Sequence, residues 1–318
     1  MRWILAAALL SATPLHAGVP EALARIGKGY QTFAAATADL DAAAQASCEG
    51  LKPAFDTAWD AWLHVAQIRI GPVEDDGRAL AIAFWPDPKA LGAKAQRALL
   101  TGDPAALDPE RFAEHSVAAR GFSGLERLLF PDAPLPADPC PLIRATTNDL
   151  ARMAAGVNAD WPAFSDKLAY PGGPGNTTYL TDLEAAQALV TQLASALEFT
   201  ADQRLGRPMG TFDQPRPERA EARASGRSLR NVIEVLKAAR DMALDLHTDA
   251  PRTEAAFAKA LALADRLDDP TLASVATPQG RLKVEILQTA IREARAAILS
   301  EIAPTLGVGL GFNALDGD

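Results

Sequence analysis

The chemistry-bearing residues concentrate in the run Arg120-Gly121-Phe122-Ser123-Gly124-Leu125-Glu126-Arg127-Leu128-Leu129-Phe130. On a helix, Ser123 and Glu126 share a face, while Phe122, Leu125 and Leu129 form an apolar stripe beside them. Glu126 is therefore expected at the margin of a core, where a carboxylate needs a cation or hydrogen-bond donors because an unpaired buried charge is costly. Arg120, Arg127 or an arginine from another helix could satisfy it with no function at all, and spacing alone favours that over a ligand site. A second strip, from Glu221 to Ser228, places Arg223, Ser225, Arg227 and Ser228 close together just ahead of a helix. Their guanidinium and hydroxyl groups could bind a carboxylate or other anion. They could equally clamp Glu126 and cap the helix, the reading preferred from the residues.

The usual enzyme signatures are missing. His16, His64, His115 and His247 are scattered, with no HExxH, CxxC or paired-histidine spacing, so a zinc-hydrolase motif is absent. There is no Gly-x-Ser-x-Gly elbow, phosphate-binding glycine loop or dinucleotide fingerprint. Trp59 and Trp62 sit on a helical stripe and read as core. Asp316-Gly317-Asp318 suggests part of a calcium loop, but without EF-hand spacing a packed tail is the better reading. Cys48 and Cys140 could pair in an oxidising compartment if the fold brings them together; otherwise they are two small buried side chains.

The elements that must position these residues are helices. Leu23, Ile26, Tyr30, Phe33, Thr37, Leu40 and Ala44 recur at steps of three and four up to a stop at Gly50. Phe55, Trp59, Trp62 and Ala66 repeat the pattern until Gly71-Pro72. A third helix is expected after Asp87-Pro88, and a fourth from Asp108-Pro109 through Leu129. Five prolines between Pro131 and Pro141 read as a stiff linker. Beyond it, a helix through Ile143, Leu150, Met153 and Val157 is expected to end near Trp161-Pro162. The next follows Asn176 as a cap and stops at Gly206 and Pro208. Stripes at 229–246, 253–267 and after Thr277-Pro278 complete the set, and nothing alternates at period two. The expected fold is all-α: a four-helix-bundle-like domain at 18–130, the linker at 131–141, and a second such bundle at 142–318.

The first seventeen residues read as an export signal, with Arg2, an apolar run from Trp3 to Leu10 and Ala17 at the cleavage site. Ser11, Thr13 and Pro14 break the run far short of the roughly 20 apolar residues that span a bilayer. No cysteine lies near the cut, so a lipid anchor is not expected, and the protein is placed in the periplasm. A net charge of −9 argues against nucleic acid, and a hydrophobic fraction of 48% suffices for a packed core.

The segment around Glu126 resembles the imelysin-like family of bacterial envelope proteins, whose hallmark is Gly-x-His-x-x-Glu on a helix. Here it reads Gly121-x-Ser123-x-x-Glu126. Trp59 and Trp62 leading to Gly71-Pro72, Phe84-Trp85-Pro86-Asp87, Gly172 to Asn176, Glu221 to Leu229 and the ending Leu306 to Asp318 also look like family blocks in family order. The resemblance implies two related bundles, with Gly121, Ser123 and Glu126 facing a cleft between them. It also implies a link to iron uptake, with iron or another divalent metal as cofactor and Glu126 as its ligand. The implied partner is a small ligand, a metal chelate or an envelope protein. The function expected is that of a non-enzymatic binding or accessory protein using the cleft at Ser123 and Glu126. The alternatives are a metallopeptidase, the activity for which the family was named, and a structural or interaction protein with a degenerate site. Ser123 offers only a neutral hydroxyl, a weak ligand for metals that imidazole suits. On one continuous helix His115 would lie roughly 12 Å from Ser123 and roughly 16 Å from Glu126, too far to replace the missing imidazole.

Overall fold

The computed structural model describes residues 18–309, which contain helices and turns and no strand. The segment read as an export signal, residues 1–17, and the end of the chain from residue 310, including Asp316-Gly317-Asp318, lie outside the described residues. The α-helices are, in chain order, α1 (Val19–Ala46), α2 (Lys52–Leu63), α3 (Arg78–Ile82), α4 (Leu91–Thr101), α5 (Pro109–Ala113), α6 (Gly121–Leu129), α7 (Cys140–Ala169), α8 (Asp182–Phe199), α9 (Gly206–Met209), α10 (Ser228–Leu246), α11 (Pro251–Leu267) and α12 (Pro278–Ala297).

The stripe read from Leu23 to Ala44 is the buried face of α1. Phe33 meets Trp62 of α2 and Phe122 of α6, with ring centroids 5.2 and 6.2 Å away. Each such fully buried side chain stabilises by roughly 1.5–3 kcal/mol relative to exposure. α7 runs antiparallel to α1, because Thr147 donates to Asp41 near one end (2.8 Å) while Trp161 packs on Tyr30 near the other (5.2 Å). The helices α8, α10, α11 and α12 pack together as a second group. Between the groups, α2 and α10 lie side by side and parallel, joined in register by Asp56–Arg227, Asp60–Arg230 and His64–Glu234.

Four details depart from the sequence reading. Beyond the prolines of 131–141, α7 returns to α1 and α6, so we place the boundary between bundles after Ala169 rather than in that stretch. α7 also passes through Pro162: burial of Trp161 and Leu168 on either side outweighs the lost backbone bond. Asn176 does not cap α8. Its amide closes the end of α7 on the Lys167 and Tyr170 carbonyls, while Thr181 and Glu184 form the capping box of α8. The helix expected from Asp108 to Leu129 is broken into α5, a turn at Val117–Ala119 and α6, because Arg120 is extended and Gly121 has φ +61°. The distance argument against His115 therefore loses its basis, although His115 packs on Phe112 (6.2 Å) rather than on Glu126.

Cys48 and Cys140 are disulfide-bonded, joining the end of α1 to the start of α7 across 92 residues. Closing so long a loop removes much unfolded-chain entropy, so the Cys48→Ser/Cys140→Ser protein is expected to lose about 3 kcal/mol. Urea unfolding with and without reductant measures this; identical midpoints would refute it.

Candidate functional site

The start of α6 is pressed onto neighbouring backbone. A Cβ on Gly121 would lie 2.1 Å from the Ala81 carbonyl oxygen and 2.3 Å from that of Ile82, and one on Gly124 would lie 2.4 Å from the Ala119 oxygen. Neither nearby arginine serves Glu126. Arg120 is buried and forks onto Asp149 of α7 (2.7 and 3.0 Å), with a further bond to the Ala113 carbonyl (2.7 Å). Arg127 donates to Gln96 (2.7 Å) and to the Ala118 carbonyl.

Glu126 is instead held by the second strip. Its Oε1 accepts from the Ser225 backbone N–H (2.8 Å) and from the Ser225 hydroxyl (2.7 Å). Its Oε2 has no hydrogen-bond partner among the described residues, and Glu126 lines a cleft. Burial raises the Glu126 pKa, and nearby Glu221 adds to the rise; the two Ser225 bonds and Arg127 oppose it without cancelling it. Glu221 is itself buried and paired, accepting from Arg204 (2.7 Å) and Asn231 (3.1 Å). Arg204 lies on a π-helical turn, Thr200–Leu205, that widens the chain between α8 and α9.

The cleft measures about 520 Å³. Its walls are the Phe84–Pro88 loop, the Ser123–Glu126–Arg127 face of α6, and the strip around Ala222 and Arg223, with Arg207 and Arg219 at the margin. Trp85 meets Phe199 edge-on at 6.0 Å, tying the first wall to the π turn. The other two walls share α2: Phe122 of α6 stacks on Trp59 (5.2 Å, 14°), and the Arg227 guanidinium lies over the same ring at 5.4 Å. Arg227 also binds Asp56 (2.7 Å) and Asp60.

Of the residues singled out in the sequence, Ser123, Glu126 and Arg223 line the cleft and Ser225 grips Glu126. Gly121 sets the start of the helix. Arg227 and Ser228 do neither job expected of them: Arg227 faces α2, the Ser228 hydroxyl is sealed without a partner, and α10 has no side-chain cap. The clamp is thus a serine, and Arg223 only approaches Asp132 at 3.6 Å. Sequence reasoning missed Arg207 and the Glu221–Arg204 pair, which depend on a π turn that no spacing rule marks.

The expectation of a metal on Glu126 finds no supporting ligands. Among the described residues no three His, Cys, Asp or Glu side chains come together to hold an ion. His64 is taken by Glu234 at 3.0 Å, and Ser123 contributes a hydroxyl where imidazole would be needed. The residues present do not fit a transition-metal centre.

The family model described as Imelysin matches residues 26–298. The chain belongs to the imelysin family. Iron-regulated protein A of Synechococcus elongatus is similar to it, 26% identical over an alignment of 304 positions, with 86% of this chain and 82% of that protein covered. A solved imelysin-like protein from Psychrobacter arcticum 273-4 shares the fold, with a TM-score of 0.77 at 22% identity over 92% of this chain and 94% of that one. A provisionally assigned iron-regulated protein A precursor from Parabacteroides distasonis ATCC 8503 gives 0.57 at 11% identity, over 90% and 92%. In this imelysin-family chain three blocks far apart in sequence, Phe84–Asp87, Gly121–Glu126 and Glu221–Ser228, contribute to one cleft.

The raised pKa of Glu126 gives its replacement a signed effect. The folded chain holds this proton to higher pH than the unfolded chain, so the associated stability is present below the unfolded value and lost as pH rises through the folded one. Glu126→Gln keeps an acceptor oxygen for Ser225 and cannot ionise. It is expected within about 1 kcal/mol of the parent in acid and to gain on it as pH rises past the ordinary carboxyl value of 4.5. Urea midpoints from acid to neutral pH read this, and parallel curves would contradict it.

Proposed function

We propose that this imelysin-family chain is an exported, periplasmic binding or accessory protein of the iron-regulated type, and that it takes a small ligand in the cleft beside Ser123 and Glu126. The observation that carries the reading is the convergence of three sequence-distant segments on one cleft, with Glu126 fixed by Ser225 and its second oxygen left open. Export is supported by the Arg2, Trp3–Leu10 and Ala17 pattern. Among the described residues no helix is long and apolar enough to cross a membrane. The iron link is supported by the name of the Synechococcus relative. Iron would arrive as a chelate, since the donor set around Glu126 does not fit the bare ion.

Peptidase action is the second reading. It is favoured by the buried carboxyl with a raised pKa and an open oxygen, the properties of a general acid or base. Against it, no histidine lines the cleft among the described residues.

Native mass spectrometry of the protein purified from the periplasm tests the binding reading, which expects a bound small molecule. Peptide release from a denatured substrate, lost in Glu126→Gln and with chelator, would establish the peptidase instead. If neither occurs and Glu126→Gln alters only stability, the cleft is a degenerate site in an interaction protein.

A further inference from the structure

We infer that the cleft selects a small oxyanion bearing several negative charges, held by Arg207, Arg219 and Arg223. This rests on the reading of the cleft as a ligand site and names the ligand's chemistry.

The inference starts from which cleft charges are already engaged. Asp87 accepts from the Leu91 and Gly92 backbone N–H groups at 2.9 and 2.8 Å, capping α4, and Glu126 is bonded to Ser225. Glu218 approaches Arg216 at 4.0 Å, and Asp132 is mostly solvated. The cations at the margin have far less to do. Arg219 is exposed, and its side chain has no partner among the described residues. Arg223 has only the 3.6 Å approach to Asp132. Arg207 makes one bond, to Gln203 at 3.2 Å, and its Nε is sealed without an acceptor. A guanidinium offers five donors in a planar fork that fits carboxylate or phosphate oxygens.

Three underused forks share one opening with Asp87, Glu126, Asp132 and Glu218, so on a chain of net charge −9 the lining is balanced in charge while its spare donors are guanidinium groups. Spare cationic donors in a recess favour an anion that can engage several of them at once. Arg127 already gives two donors to Gln96 and the Ala118 carbonyl, so recognition falls mainly to the other three. The neutral Ser123 hydroxyl in the lining adds no opposing charge. Carboxylates of a chelator and the oxygens of a phosphate share this chemistry, and titration separates them.

The full chain is titrated calorimetrically at low salt with citrate, inorganic phosphate and ferric citrate. Saturable binding of at least one is expected, weakened by added salt. Arg219→Gln/Arg223→Gln should weaken it roughly tenfold or more, through loss of two charge-assisted contacts. Binding of citrate and phosphate alike assigns recognition to the oxyanion, whereas binding of ferric citrate alone assigns it to the loaded chelate. Parent-like affinity in the paired variant overturns the role of these arginines, and no binding of any probe overturns the anion. Ala224→Trp, which fills the exposed rim, separates the two readings by native mass spectrometry. A neutral co-purifying molecule lost in that variant removes the anion but keeps the ligand site, and no cleft-dependent ligand removes both.

Discussion

Asp149→Ala is expected to destabilise the protein by about 4 kcal/mol, the scale of breaking a buried ion pair by deleting one partner. Asp149 and Arg120 are 3% and 6% exposed, so the arginine left behind would be a buried cation with only the Ala113 carbonyl and the Met153 sulfur for company. Loss of the second partner, Arg152, adds little, because that side chain is 53% exposed. The control is Arg120→Met/Asp149→Leu, which removes both charges and is expected to recover most of the loss. Denaturant midpoints of the two variants decide it. A single substitution costing no more than a surface pair, about 1 kcal/mol, would show that the pair is not sealed. The effect reaches the cleft because Arg120 is the residue from which α6 starts, and the pair fixes that start to α7.

Gly121→Ala is expected to be as damaging, by about 4 kcal/mol, for a different reason. A left-handed backbone alone costs an L-residue roughly 1–2 kcal/mol. At Gly121 the added methyl would also overlap two carbonyl oxygens, at 2.1 and 2.3 Å, and relief requires moving α6 away from α3. Gly50→Ala separates the terms: Gly50 has φ +70° with open space around its Cβ position, so only the backbone cost should remain. If both variants lose the same amount, the packing argument fails. This accounts for the motif glycine by packing rather than by contact with a ligand.

The helical pattern was legible wherever a long stripe faces a core, as in α1, α10 and α12, because burial of one face dominates the energetics of such helices. Glu126 was also correctly placed at a core margin. The strip that clamps it was legible too, but not which member does so: the nearby arginines are drawn off by Asp149, Gln96 and backbone carbonyls, and of the strip it is Ser225, 99 residues away, that bonds Glu126. Pro162 and Asn176 misled for a related reason: local propensity is worth about as much as one backbone bond, and a buried tryptophan or a carbonyl pair outweighs it. The break at Gly121 had a visible glycine, but nothing in the sequence says that the backbone of residues 81–82 will lie against it.

The placement of Trp59 and Asp60 on one short helix has a mechanical consequence. α2 holds one wall of the cleft by its ring and the other by its carboxylates, so the two walls form a single splint. Prising them apart would mean unstacking Phe122 or stripping Arg227 of its acids, and neither comes free with a weak visitor. The spacing of these two walls is therefore set at folding, and little of a guest's binding energy goes into moving one against the other.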